Sequence, residues 1–184
     1  DETGDGSEEN PFGSIQAAID MSLSGDTVII HPGIYNESIQ MENKGILLAS
    51  DYLFSGEHTD ISLTNIIGVA GNPSMHLNQV GYSTHILGLT ISHSDDEPGV
   101  GIQCEFSFPT IQNCIIINNI VDSNGGGIYI QESDVMFIDT EIYQNSGSSG
   151  GGIYAVGSNI SLNKVLLANN HSTLDGAALY MMQT

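Results

Sequence analysis

The sequence predicts an all-β parallel β-helix, with three short strands per coil of about 25 residues and a short helix capping its N-terminal end. Three observations carry this. The segment Gly99–Met182 repeats itself: GVGIQCEFSFPTIQNCIIINN, GGGIYIQESDVMFIDTEIYQN and GGGIYAVGSNISLNKVLLANN follow one another, and GAALYM opens a fourth copy. Ile102, Ile128, Ile153 and Leu179 head the copies at spacings of 26, 25 and 26, and Asn119, Asn145 and Asn170 close them at 26 and 25. A fixed period in this range marks a solenoid, whose repeats bury their apolar faces only by stacking. Second, apolar residues within a copy alternate with the strand period of two. Third, the gaps between these runs are too short for a crossover helix.

Each copy holds three inward-facing pairs. They are Ile102/Cys104, Pro109/Ile111 and Cys114/Ile116 in the first copy. Ile128/Ile130, Val135/Phe137 and Thr140/Ile142 follow, then Ile153/Ala155, Ile160/Leu162 and Val165/Leu167. Coils related this way stack roughly 4.8 Å apart. The glycine clusters are placed at the bends, where positive φ is needed.

The chain is read as one domain over 1–184, with an N-terminal segment and capping helix in 1–25 and solenoid coils in 26–184. Asp1–Asn10 is acidic and loosely held. Phe12–Met21 reads as an amphipathic helix, with Ser14 as N-cap and Ile15, Ala18 and Ile19 on one face. Gly25-Asp26 and His31-Pro32-Gly33 are turns. Val28–Ile30, Ile34–Ile39 and Gly45–Ala49 are strands. Residues 50–98 are less regular, but Ile61/Ile86 and Ile66/Ile91 keep a spacing of 25. Asn72-Pro73 and Asp95–Gly99 are loops at bends. The C-terminal end is expected to be uncapped, so that either more chain follows or another subunit stacks on it.

The segment GDGSEENPFGSIQAAIDMSLSGDTVIIHPGIYNESI, Gly4 to Ile39, resembles the opening of the pectin-lyase-like parallel β-helix superfamily. The GGGIY and PTIQNC segments resemble repeats of secreted bacterial β-helix surface proteins. The resemblance, together with the handedness of parallel connections, implies a right-handed helix. It specifies fold and not activity, since the scaffold carries many functions.

Composition narrows function. Asp and Glu number 22 against 2 Lys+Arg, for a net charge of -20. The two cations are Lys44 and Lys164, and there is no Arg. Nucleic acid is excluded as a partner, because its phosphates require Lys and Arg. No run of 18 apolar residues is present, so no membrane-inserted helix is predicted. Within the resemblance, lyases work with an Arg or Lys base and esterases pair Asp with Arg. With no Arg, and with Lys44 and Lys164 far apart in sequence, this chain does not offer the usual constellation of either. A hydrolase needs only paired carboxylates, and Asp95, Asp96, Asp134, Asp139 and Glu141 are available, with no spacing that singles out a pair. No catalytic residue is assigned.

Several candidate sites remain. Tyr129, Tyr154 and Tyr180 occupy the position after the head residue, so they face outward and form a ladder that Gln103 extends. They serve either as cross-coil packing or as a carbohydrate-binding face. Asn119, Asn145 and Asn170 form a second, structural ladder. Asp95, Asp96 and Glu97 offer hard oxygen ligands for Ca2+, the only cofactor considered, without a complete calcium motif. Cys104 and Cys114 are inward residues of one coil, and admit a disulfide or two buried thiols. The histidines show no metal-binding spacing and are assigned to loops or the surface. The expected function is that of an extracellular or cell-surface module with a structural or adhesive role. It would bind a glycan or a surface-protein partner, or self-associate through the C-terminal coil into a filament. The alternative is a polysaccharide-active enzyme.

Overall fold

The computed structural model describes residues 4–94 and 98–183. Three parallel six-stranded sheets form the walls of a β-solenoid. With strands numbered in chain order, the first wall holds β1 (Thr27–Ile30), β4 (Leu47–Ser50), β7 (His85–Leu87), β10 (Thr110–Gln112), β13 (Asp134–Ile138) and β17 (Asn159–Asn163). The second holds β2 (Gly33–Asn36), β5 (Thr64–Gly68), β8 (Thr90–His93), β11 (Ile115–Ile117), β14 (Glu141–Tyr143) and β18 (Leu166–Ala168). The third holds β3 (Ile39–Glu42), β6 (Met75–Asn78), β9 (Ile102–Glu105), β12 (Ile128–Gln131), β16 (Ile153–Val156) and β20 (Leu179–Met182). A short pair, β15 (Ser146–Gly147) and β19 (His171–Ser172), sits beside the bend after the second wall.

The strand period of two turns every second side chain into the lumen. In-register pairing then stacks like on like. One lumen column of the third wall is Ile39–Met75–Ile102–Ile128–Ile153–Leu179. Val28–Leu48–Ile86–Ile111–Phe137–Leu162 line the first wall. Pro109/Ile111 and Cys114/Ile116 are buried as the alternation predicts. Burial stops at the last coil, where Leu162 and Met181 keep 41% and 46% exposure although both face the lumen.

The other end is covered by α1 (Ile15–Met21), which buries Ile15 and Ile19 against the first coil. Ser14 caps it, accepting from the Ala17 N–H. The Glu37 carboxylate accepts from the Ile15 and Gln16 N–H groups at 2.9 and 3.1 Å, satisfying donors that a helix start leaves free. At the C-terminal end Lys44 donates to the Ile19 and Asp20 carbonyls. Gln16 acts as a substitute strand: its Oε1 accepts from the Gln40 N–H at 2.7 Å and its Nε2 donates to the Gln40 carbonyl at 3.0 Å. The free edge of β3 is thereby closed by one side-chain amide.

Four expectations need correction. Ile34–Ile39 is not one strand: β2 ends at Asn36 and β3 begins at Ile39, because the chain turns a corner at Glu37-Ser38. Ile34 faces out and Tyr35 packs against the core. The Ile61/Ile86 spacing is a coincidence. Ile61 lies in a helical insertion, α2 (Tyr52–Ser55) and α3 (His58–Leu63), between β4 and β5. Ile86 stacks on Leu48 instead, whereas Ile66 and Ile91 do pair. Positive φ at the bends is carried mostly by other residues, such as Asn113, Asp139 and Lys164 at the bend between the first and second walls. In each glycine triplet only the first residue, Gly125 or Gly150, has positive φ. The third is there for room: a Cβ on Gly127 would lie 2.6 Å from the Gly152 carbonyl, and one on Gly152 would lie 2.4 Å from the Ala178 carbonyl. The fourth correction concerns His93 and is described with the ladder it joins.

Candidate functional site

The outer face of the third wall carries two rows of side chains along the solenoid axis. Pairing register aligns Gln40, His76, Gln103, Tyr129, Tyr154 and Tyr180 in one row. Glu42, Asn78, Glu105, Gln131, Val156 and Met182 form the other. The three tyrosines stack, with ring centroids 5.5 and 5.4 Å apart and interplanar angles of 12° and 9°. Tyr154 is sandwiched and only 8% exposed. Stacked pairs of this kind contribute about 0.5–1.5 kcal/mol each. Their consequence for a ligand is geometric. The faces of the Tyr154 ring are taken by its neighbours, so the ladder offers ring edges and hydroxyls along its length.

Polar side chains continue the row toward the N-terminus. The Tyr129 hydroxyl donates to Gln131 Oε1 at 3.2 Å. Burial raises the Tyr129 phenol above its ordinary range, and the neighbouring Tyr154 and Glu105 charges add to this. His76 Nε2 donates to Glu105 Oε2 at 2.8 Å, and Asn78 Nδ2 donates to Glu42 Oε1 at 2.9 Å. Gln103 lies between His76 and Tyr129. Pairing register adds Gln40, His76, Glu42 and Glu105 to the face expected from Gln103 and the tyrosines. The α2–α3 insertion separates Gln40 and Glu42 from the later coils and breaks the repeat spacing between them, whereas Glu105 stands in the coil of Gln103 itself, two residues further along the same face.

The asparagines form a continuous chain, buried at Asn119 and Asn145 and half-buried at Asn170. Asn119 Nδ2 and its backbone N–H both donate to Asn145 Oδ1, at 2.9 and 3.0 Å. Asn145 does the same to Asn170 Oδ1, at 3.1 and 3.0 Å. The carbonyls of Ile91, Ile116 and Ile142 accept from Asn119, Asn145 and Asn170 respectively. These contacts tie one coil to the next at the bend after the second wall. His93, assigned to the surface by the sequence reading, is buried in this column, 26 residues before Asn119. Its Nε2 donates to the Asn72 carbonyl at 3.0 Å, and its Nδ1 faces Ser74 Oγ at 2.9 Å and Asn119 Oδ1 at 3.3 Å. Gly68 and Gly99 leave space for the ring, since a Cβ on either would lie within 2.4 Å of it.

Cys104 and Cys114 are free and buried. Burial raises both thiols, the Cys104 thiol further with help from the Glu105 charge, and the Cys114 thiol to about 11. Neither is a thiolate nucleophile at neutral pH. Asp95, Asp96 and Glu97, the candidate calcium ligands, lie outside the described residues. Among the described residues, no three His, Cys, Asp or Glu side chains converge to hold a metal ion. Of the carboxylates considered for hydrolysis, Asp134 accepts from Asn159 Nδ2 at 2.7 Å and Asp139 pairs with Lys164 at 3.5 Å.

One family model matches within this framework. Residues 113–131 match the Chlamydia polymorphic membrane protein repeat. The matched stretch runs from the bend before β11 to the end of β12. It contains Asn119, the triplet Gly125–Gly127 and Tyr129, and so joins the asparagine ladder to the tyrosine wall. It covers a small part of the 184-residue chain. No curated protein matches the chain.

Proposed function

We propose that this chain is a solenoid module of a cell-surface protein with an adhesive role, and that the outer face of its third wall binds an extended neutral glycan. The observation that carries this reading is the straight outer row from Gln40 through Gln103 to Tyr180. Its amides, imidazole and phenols recur at one rung spacing, roughly 4.8 Å. A polymer lying along the axis would meet hydrogen-bonding groups at each step and aromatic edges over the last three. The surface location is supported by the matched repeat, which is named for membrane proteins. The resemblance to pectin-lyase-like proteins supports a saccharide partner on the same fold. The net charge of -20 disfavours an anionic polysaccharide.

A glycan array of neutral and acidic polymers tests this. The wild-type chain should retain a neutral polymer without releasing reducing ends. Gln103→Ala and Tyr129→Ala should each weaken retention about tenfold, or ~1.4 kcal/mol. Retention unchanged in both variants, or confined to acidic polymers, would reject the reading. Labelling intact producing cells with a membrane-impermeant reagent tests the location independently.

A further inference from the structure

The N-terminal end of the first wall contains a groove that the capping helix does not fill. Its volume is about 980 Å3, and its floor is the outer edge of β1. Among the described residues, β1 is the terminal strand of its sheet and pairs only with β4. The Asp26 carbonyl accepts from the Leu47 N–H, so strand alternation turns the N–H and C=O groups of Val28 and Ile30 toward β4 as well. Those of Thr27 and Ile29 then point into the groove. The same situation at β3 is resolved by Gln16, whose amide pairs with both Gln40 backbone groups. Among the described residues, no backbone or side-chain group pairs in this way with Thr27 or Ile29.

The rim has two chemical characters. Met21 and Phe54 project beside the groove with 70% and 75% exposure. Asp5, Glu8, Asp26 and Asp51 contribute carboxylates, and no Lys or Arg lines the groove. An open strand edge adds a strand readily. The charge decides which strand is favoured, because a cationic segment complements this rim.

We propose that this groove binds an extended peptide segment of alternating basic and apolar residues, which adds to the edge of β1 as a further parallel or antiparallel strand. Backbone groups of Thr27 and Ile29 would pair with it, its cationic side chains would meet the carboxylates, and its apolar side chains would pack beside Met21 and Phe54.

The test uses an eight-residue peptide alternating Lys and Val, titrated calorimetrically into the 184-residue chain. Saturable binding that weakens with salt is expected. A Glu/Val peptide should not bind. A Lys/Val peptide N-methylated at alternate residues keeps charge but cannot pair on one edge, and should bind at least about tenfold more weakly. Ile29→Pro removes one edge N–H without touching the β4 ladder, a change edge strands tolerate, and should weaken the unmodified peptide to a similar degree. Absence of saturable binding would overturn the proposal. So would binding unaffected by N-methylation, which would be charge attraction alone and is readable even if Ile29→Pro fails to fold. Light scattering showing a dimer that Ile29→Pro disperses would assign the edge to a second copy and overturn it too.

Discussion

At the scale of single residues, Asn145 illustrates how few groups hold neighbouring coils in register. It accepts twice from Asn119, donates twice to Asn170 and once to the Ile116 carbonyl. Asn145→Ala leaves the buried Asn119 backbone N–H without its side-chain acceptor, while Asn119 Nδ2 keeps the Ile91 and Ile117 carbonyls. An unsatisfied buried donor costs about 1–3 kcal/mol, so the variant should lose roughly that much in urea denaturation. The buried thiols set a pH limit. Cys114 ionises near 9.0 when unfolded and at about 11 in the fold, so its contribution is complete below about pH 9 and is lost as pH rises toward 11. Tyr129, also raised, adds to the same alkaline decline. Urea midpoints should fall across that window, and Cys114→Ala should flatten the fall. The asparagine positions were legible as a period of 25–26. His93 was not, because it stands 26 residues before Asn119 but is a different residue type in a column otherwise made of asparagine.

At the scale of elements, the glycine triplets and the capping helix do distinct work. Gly127 lies under the Gly152 carbonyl and beside Asn145, so Gly127→Ala forces backbone apart and should cost roughly 1–3 kcal/mol. Ala178 holds the equivalent place in the last coil and is exposed. Ala178→Gly should therefore leave the melting temperature nearly unchanged, and the contrast between the two variants measures the close approach. Helix α1 depends on three polar contacts with the first coils: Glu37 at its start, Gln40 at its flank and Lys44 at its end. Lys44→Met should cost about 1 kcal/mol and speed hydrogen exchange in α1 more than in β12. The helix and its Ser14 cap could be read from the amphipathic spacing. The α2–α3 insertion could not, since its two short helices carry no sustained apolar period and interrupt the spacing on either side.

At the scale of the whole molecule, charge and stacking oppose each other. A net charge of -20 repels itself across a narrow solenoid. Moderate NaCl screens that repulsion, so the melting temperature should rise with salt, as scanning calorimetry would show. The lumen residues of the last coil are partly open. Ala178 carries a Cβ where Gly101, Gly127 and Gly152 carry none, and Ser74, earlier in the same column, shows that a coil stacks in register over a residue with a Cβ.

The sequence alone determined the parallel three-walled architecture, the lumen residues of the regular coils and the alignment of Tyr129, Tyr154 and Tyr180. It could do so because a fixed period and a strand alternation of two translate directly into stacking. Only the tertiary structure decided that the tyrosine faces are occupied by one another and that His93 completes the asparagine column. The same holds for Gln16 closing the edge of β3 while β1 stays open beside a groove. The tyrosine and His93–Asn119 spacings follow the period, but which ring faces are covered and which polar atoms meet depends on side-chain conformation, and Gln16 and Gln40 are joined by no period at all. Their contacts depend on where corners and insertions bring the backbone, which neither composition nor spacing encodes.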